Sequence, residues 1–232
     1  MAALDDLLDD PLRLVVFDCD GTLVDSQHVI VAAMANACDA HGLPRPADLA
    51  VRRTIGLPLA EAIASIMVDH GPDEHARLVA HFREAFLAGR TAHHHEPLFP
   101  GILDALDAFD AAGYLLGVAT GKPRRGLDAT LAMHGISSRF CTLKTADDGP
   151  GKPHPAILLA AIAETGVEAE HCVMIGDTSF DMAMARAAGA KAIGVAWGYH
   201  EADDLLAAGA HCVVESSEEL VETVHRLYDR GG

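Results

Sequence analysis

Positive charge is scarce in this chain. Lysine and arginine number 17 against 34 aspartates and glutamates, a formal net charge of −17 with histidine neutral. Such a balance argues against non-specific nucleic-acid binding and against docking on an anionic membrane surface. Long apolar runs are missing too: none approaches the roughly 20 residues that a membrane-spanning helix needs. Cysteines are few and poorly placed for a disulfide framework. Cys19, Cys38, Cys141, Cys172 and Cys212 are odd in number and lack a CxxC spacing. That fits reduced thiols in a cytoplasmic protein. The start, MAALDDLLDDPLR, has no basic region followed by an apolar run, so no secretory signal is expected. There are no repeats and no low-complexity tracts. One lack is local: no lysine occurs between Val24 and His95.

What is present is a large apolar fraction, half of 232 residues. It is enough for one large domain or a domain with an insertion. The most informative stretch runs from Leu12 to Ser26, LRLVVFDCDGTLVDS. Leu14 to Phe17 is short, β-branched and aromatic, and reads as a buried strand of a parallel sheet. It stops at Asp18, and Asp20 follows two residues on. Extended backbone has a period of two, so both carboxylates turn to one side. Gly21 permits a sharp turn. Adjacent carboxylates repel unless a cation or a shared proton compensates.

Beyond Leu23 the pattern becomes helical. Ser26 is placed to cap a helix that Gly42 and Pro44 close. The Arg45–Pro58 segment reads as irregular, Leu59 to His70 as a helix, and Asp73 as the cap of a helix reaching about Gly89. No convincing strand occurs between Asp25 and His95, so this block is an insertion in an α/β pattern. His93, His94 and His95 read as a linker, because adjacent side chains point in different directions. Strands and helices then alternate: strands at Tyr114–Ala119, Phe140–Leu143, Cys172–Ile175, Lys191–Ala196 and Cys212–Val214, with helices between and after them. Repeated βα units predict a Rossmann-like parallel sheet with helices on both faces. The expected division is residues 1–23 and 97–232 for this α/β core and 24–96 for an all-helical cap inserted after the first strand.

Three apolar strands end in polar clusters: Asp18/Asp20, Thr120-Gly121-Lys122 and Gly176-Asp177. Parallel strands put such ends on one edge, where α/β sheets bind ligands. Lys152 sits in a loop fixed by Gly149, Pro150, Gly151 and Pro153. Asp181 lies four residues past Asp177 at a helix entry, where it could equally be a helix cap. These groups suit phosphoryl transfer. A carboxylate nucleophile and a phosphate repel, and a hard cation such as Mg²⁺ removes that repulsion. Lys152 supplies a compact positive charge. Thr120 and backbone N–H groups near Gly21 and Gly121 can donate to phosphate oxygens. One carboxylate attacks and the other moves protons.

Taken together, DCDGT at Asp18–Thr22, VATGK around Thr120, GKPHP around Lys152 and GDTSFDM around Asp177 resemble the haloacid dehalogenase superfamily in its phosphatase branch. The likeness spans roughly Leu12 to Tyr228. The helical insertion resembles the cap of phosphoglycolate phosphatase-like and β-phosphoglucomutase-like members. The resemblance implies that Asp18 is the nucleophile. It makes Asp20 the general acid/base and a metal ligand through its backbone carbonyl. Thr120 and Lys152 become the phosphate-holding pair, with Asp177 as a Mg²⁺ ligand and Asp181 supporting the metal site. Gly21, Thr22, Gly121, Lys122 and Arg53 are the expected substrate contacts. Lys122 could instead be a solvated surface lysine, and Arg53 could meet a substrate carboxylate or simply face water.

The implied activity is Mg²⁺-dependent hydrolysis of a small phosphorylated metabolite, phosphoglycolate first, through an aspartyl phosphate. Asp20 argues against a dehalogenase, and the lysine-free cap against Schiff-base phosphonate cleavage. A phosphosugar mutase or a pyrophosphatase remains the alternative enzyme. A phosphoaspartate signalling receiver and a catalytically idle interaction protein are the alternatives outside catalysis. Monomer and homodimer are both compatible with the sequence.

Overall fold

The computed structural model describes residues 11–91 and 96–229. The His93–His95 run therefore lies outside the described residues. Six strands form one sheet: β1 (Leu14–Phe17), β2 (Leu115–Ala119), β3 (Thr142–Lys144), β4 (Cys172–Gly176), β5 (Lys191–Val195) and β6 (Cys212–Val214). Their order is β3-β2-β1-β4-β5-β6, and every pairing is parallel. β1 is central, with β2 on one side and β4 on the other. The chain winds outward from it in both directions, which makes the end of β1 the switch point where such sheets bind ligands.

All four residues of β1 are fully buried, as expected of a strand covered on both faces. Val15 and Phe17 pack with Leu106 and Phe109 of α5 (Ile102–Ala111), Leu127 and Leu131 of α6 (Arg124–Met133), and Leu220 and Val224 of α10 (Ser217–Asp229). Leu14 and Val16 face the other layer. There they meet Ile157 and Leu158 of α7 (Ala156–Thr165), Met182 and Ala185 of α8 (Ser179–Ala188), and Leu205 of α9 (Ala202–Ala208). Each such side chain removed from water contributes about 1.5–3 kcal/mol, so the sheet is anchored through alternate residues of one short strand.

Between β1 and β2 the chain builds α1 (Gln27–Ala40), α2 (Asp48–Arg52), α3 (Leu59–Ile66) and α4 (Pro72–Thr91). These helices have their own apolar cluster, with Met34, Ala37 and Cys38 from α1, Val51 from α2, Ile63 from α3 and Leu78 from α4. The helix α2 interrupts a segment that reads as irregular from its prolines and glycines. Five residues are too few to show a helical period, and Val51 is its one buried residue. The two connections to the block run side by side. Val24 bridges Leu98 in antiparallel fashion, Asp25 N–H donates to Pro97 O at 2.8 Å, and Phe99 N–H donates to Leu23 O at 3.0 Å.

Two local expectations are corrected. Ser26 precedes α1 but makes no side-chain cap; its hydroxyl pairs with the Tyr199 hydroxyl at 3.4 Å. Asp73 lies inside the first turn of α4, after Pro72, not before it. Proline is pre-organised for a first helical position and gives up no needed N–H there.

Candidate active site

Strand register sets what emerges at the sheet edge. Phe17 is level with Val118 on one side and Ile175 on the other. Asp18 follows directly, and Thr120 and Asp177 come two residues beyond that level. The chain after Asp18 then folds tightly back: Thr22, Leu23 and Val24 all donate backbone N–H to Cys19 O, at 3.4, 3.0 and 3.0 Å.

The core of the site is a buried cluster of three acids and a lysine. Asp18 is 1% exposed, and Asp177, Asp181 and Lys152 are 0% exposed. One carboxylate oxygen from each aspartate lies within 4.8 Å of the others. Lys152 Nζ stands 2.7 Å from Asp18 Oδ1 and 2.6 Å from Asp181 Oδ1. Burial works against the Lys152 charge, but Asp18 and Asp181 outweigh it and raise its pKa. Asp18 Oδ1 also accepts the Cys19 N–H at 2.6 Å. Its other oxygen, Oδ2, is buried with no hydrogen-bond partner.

Burial pushes the Asp18 carboxyl up, Lys152 pulls it back, and Asp181 and Asp20 add repulsion; the pKa comes to about 6. Asp177 is raised well above the carboxylate range by burial and by Asp18 and Asp181, against hydrogen bonds from Thr22 and Tyr199. Three buried carboxylates facing one ammonium, with an orphaned oxygen among them, are short of positive charge. An all-oxygen donor set of this kind fits a hard divalent cation.

Asp181 is both a helix cap and a site residue. Thr178 and Asp181 form a capping box at the start of α8. Asp181 Oδ2 accepts from Thr178 N–H at 3.1 Å and from its hydroxyl at 2.6 Å, while Oδ1 faces Lys152. Asp181 thus caps the helix with Oδ2 and turns Oδ1, which has no hydrogen-bond partner, toward Lys152 and the other two acids.

Several expected substrate contacts are committed elsewhere. Thr22 donates its hydroxyl to Asp177 Oδ1 at 2.8 Å, so it positions an acid. Gly21 N–H donates to Val24 O at 2.9 Å, so it is not a free phosphate donor. Glycine is required there on other grounds: φ is +90°, and a Cβ would lie 2.2 Å from Asp177 Oδ2. Lys122 is neither solvated nor free. It is 5% exposed, and its Nζ lies 2.6 Å from Asp20 Oδ1 and 3.3 Å from Glu96 Oε1. Arg53 is exposed and lines an open cavity of about 480 Å³ with Ser179, His200 and Asp204, which none of the buried acids lines. Thr120 is 1% exposed. Its oxygen accepts the Lys122 N–H at 3.2 Å, which leaves its hydroxyl proton for another acceptor.

The helical block closes over this edge. A Cβ at Gly121 would come within 2.6 Å of Gly56 O, and one at Gly151 within 2.4 Å of Pro58 Cγ. A loop after β5, which carries no motif in the sequence reading, ties the parts together. Trp197 Nε1–H donates to Thr22 O at 3.1 Å, and Tyr199 N–H donates to Asp177 Oδ2 at 3.0 Å. His200 Nδ1 accepts Ser179 N–H at 3.2 Å, and its Nε2 is 3.1 Å from Arg53 O in the helical block. Glu96 was equally silent in the sequence, where it is one acid among many beside a histidine run. It is 0% exposed.

The Haloacid dehalogenase-like hydrolase family model matches residues 15–195. The chain is 38% identical over 220 residues to "Probable phosphatase IndB" of Dickeya dadantii (strain 3937), covering 92% of this chain and 94% of that protein. It is 31% identical over 216 residues to "Phosphoglycolate phosphatase" of Yersinia pestis, covering 92% and 93%. A hydrolase structure from Pseudomonas syringae superposes with a TM-score of 0.82 at 27% identity, over 92% of this chain and 98% of that one. A family match that takes in β1 to β5, with the acids at the strand ends inside it, places the chain in the haloacid dehalogenase-like hydrolase family.

Proposed function

We propose that the protein is a Mg²⁺-dependent phosphatase of small phosphorylated metabolites, working through an aspartyl phosphate on Asp18. The observation that carries the reading is the orphaned Asp18 Oδ2, buried beside Lys152 and Asp177 at the end of the central strand. The names of the relatives, a probable phosphatase and a phosphoglycolate phosphatase, support the reaction class, with phosphoglycolate as the first substrate to try.

Asp18 and Asp177, with the Asp20 carbonyl, would hold the Mg²⁺, which when bound neutralises the acids and the substrate phosphate and so lets anion meet anion. Asp18 Oδ2 attacks phosphorus. Lys152 holds the other oxygen of Asp18 and fixes the direction of attack. Asp20 protonates the leaving oxygen, then takes a proton from the water that hydrolyses the aspartyl phosphate. Thr120 donates its free proton to a phosphate oxygen.

Residues 1–23 and 97–232 form the catalytic unit in this reading, and 24–96 form a cap. The acids are closed to solvent, so the cap must swing on the paired segments near Val24 and Leu98 to admit substrate and then exclude water. The free thiols suit a reducing compartment, the cytoplasm. The test is phosphate release from a panel of metabolite phosphates, with wild type and Asp18→Asn assayed together. Hydrolysis by wild type that Asp18→Asn lacks supports the reading; full activity in Asp18→Asn overturns the nucleophile.

A further inference from the structure

Asp20 is gripped from behind by a second buried cluster. Lys122 Nζ sits 2.6 Å from Asp20 Oδ1 and 3.3 Å from Glu96 Oε1. Among the described residues no other side chain hydrogen-bonds the Asp20 carboxylate. Glu96 is itself immobilised: Thr130 donates to its Oε2 at 2.9 Å, and His134 Nε2 lies 2.7 Å from its backbone oxygen. The Lys122 stem runs against α6, where a Cβ at Gly126 would come within 3.1 Å of Lys122 Cγ. From the helical block, the Phe86 ring lies 5.4 Å from Lys122 Nζ. The lysine is thus fixed by the core, by the returning connection at Glu96 and by the helical block.

We propose that Lys122 and Glu96 are positioning residues for the general acid Asp20: the lysine clamps Asp20 Oδ1 so that Oδ2 carries the proton toward the leaving oxygen. This rests on the phosphatase reading above. A carboxylic acid free to rotate about its Cα–Cβ and Cβ–Cγ bonds would present its proton to the leaving oxygen only part of the time. A buried ammonium at 2.6 Å removes that freedom, and Glu96 holds the ammonium in turn. The pair touches no reacting atom, and the Phe86 contact means that the clamp is complete when the helical block is closed.

The signature of a misplaced general acid is dependence on the leaving group. An alkyl phosphate needs its departing alkoxide protonated, whereas a nitrophenolate leaves without help. For Lys122→Met and Glu96→Gln, kcat/KM toward an alkyl phosphate should fall by about 10²-fold, within the range that general acid catalysis supplies. Toward p-nitrophenyl phosphate it should stay within about threefold. Asp20→Asn should show the same split, and adding Lys122→Met to it should change little further, because both act on one step. Lys122→Arg, which keeps the charge, should recover part of the alkyl activity.

Equal losses on both esters would mean a merely structural pair and would overturn the inference. So would a raised KM with unchanged kcat, the mark of a lysine that binds substrate. A wild-type chain that hydrolyses neither ester overturns the phosphatase reading and this inference with it. An active wild type without the split overturns this inference alone. Glu96→Gln keeps the size of the side chain and an acceptor for Thr130, so it carries the test if Lys122→Met does not fold.

Discussion

Two buried lysines divide the site between them. Lys152 lies between Asp18 and Asp181, and Lys122 between Asp20 and Glu96. Each is one ammonium against two carboxylates, yet the surroundings differ. The Lys152 cluster adds Asp177 and an orphaned oxygen, so it is short of positive charge. In the Lys122 cluster Thr130 donates to Glu96, the Asp20 side chain is 12% exposed, and no buried polar atom of the three residues is orphaned. In the proposed reaction one cluster receives a cation and an anion, and the other holds a proton carrier still. The same residue types do different work because one set of oxygens is left unsatisfied.

The largest contrast to test is catalytic. Asp18→Asn should lose at least about 10⁴-fold in kcat on every ester, because a nucleophile cannot be bypassed. In kcat/KM, which reports the leaving-group step, Asp20→Asn should lose about 10²–10⁴-fold on alkyl phosphates and far less on aryl ones. Indifference of Asp20→Asn to the leaving group would break the division of labour.

Stability offers the next contrast. Lys152→Met leaves Asp18 and Asp181 buried without their cation and should cost about 3–5 kcal/mol in urea unfolding. Lys122→Met should cost less, about 1–3 kcal/mol, because the Asp20 side chain is 12% exposed and can regain water while buried Glu96 keeps its hydrogen bond from Thr130. Equal costs would mean that solvent access does not separate the two clusters. A smaller effect is expected at Thr22, which orients Asp177. Thr22→Val should weaken Mg²⁺ binding by about 10–100-fold in calorimetry, as loss of a ligand's hydrogen-bond partner does.

The smallest effect follows from pH. In metal-free protein the Asp18 carboxyl is raised to about 6, above the usual carboxylate value near 4. The folded chain therefore binds this proton more tightly than the unfolded chain. Its contribution to stability is fully present below pH ~4 and is lost as pH rises through about 6. Relative to Asp18→Asn, metal-free wild type should lose on the order of 1–2 kcal/mol across that window. A difference that stays constant, or grows in the opposite direction, would contradict the burial of an acid that Lys152 only partly compensates.

The Lys152 cluster was largely legible in the sequence and the Lys122 cluster was not. Asp18, Lys152 and Asp177 sit just past apolar runs or in a proline- and glycine-fixed loop, and parallel strands bring such ends together. The six strands were readable for the same reason, with bounds shifted by a residue or two at β2, β3, β4 and β5. Lys122 read as a substrate contact or a surface lysine, since its partner Glu96 lies 26 positions earlier with no periodic signal. Thr22 and Gly21 read as substrate contacts; in the fold the Thr22 hydroxyl bonds Asp177 and the Gly21 N–H bonds Val24. Trp197, Tyr199 and His200 follow a strand without any polar motif, and only folding brings them onto Asp177 and the helical block. Side chains that act through long-range pairing leave no local spacing to read.

The measurement that bears most directly on the central claim is phosphate release by the wild-type chain near neutral pH, with Mg²⁺ and with a chelator in its place. The expected result is turnover of at least one small phosphate ester with Mg²⁺ and none with the chelator. Equal rates under both conditions, or no turnover of any ester with Mg²⁺, would contradict the account.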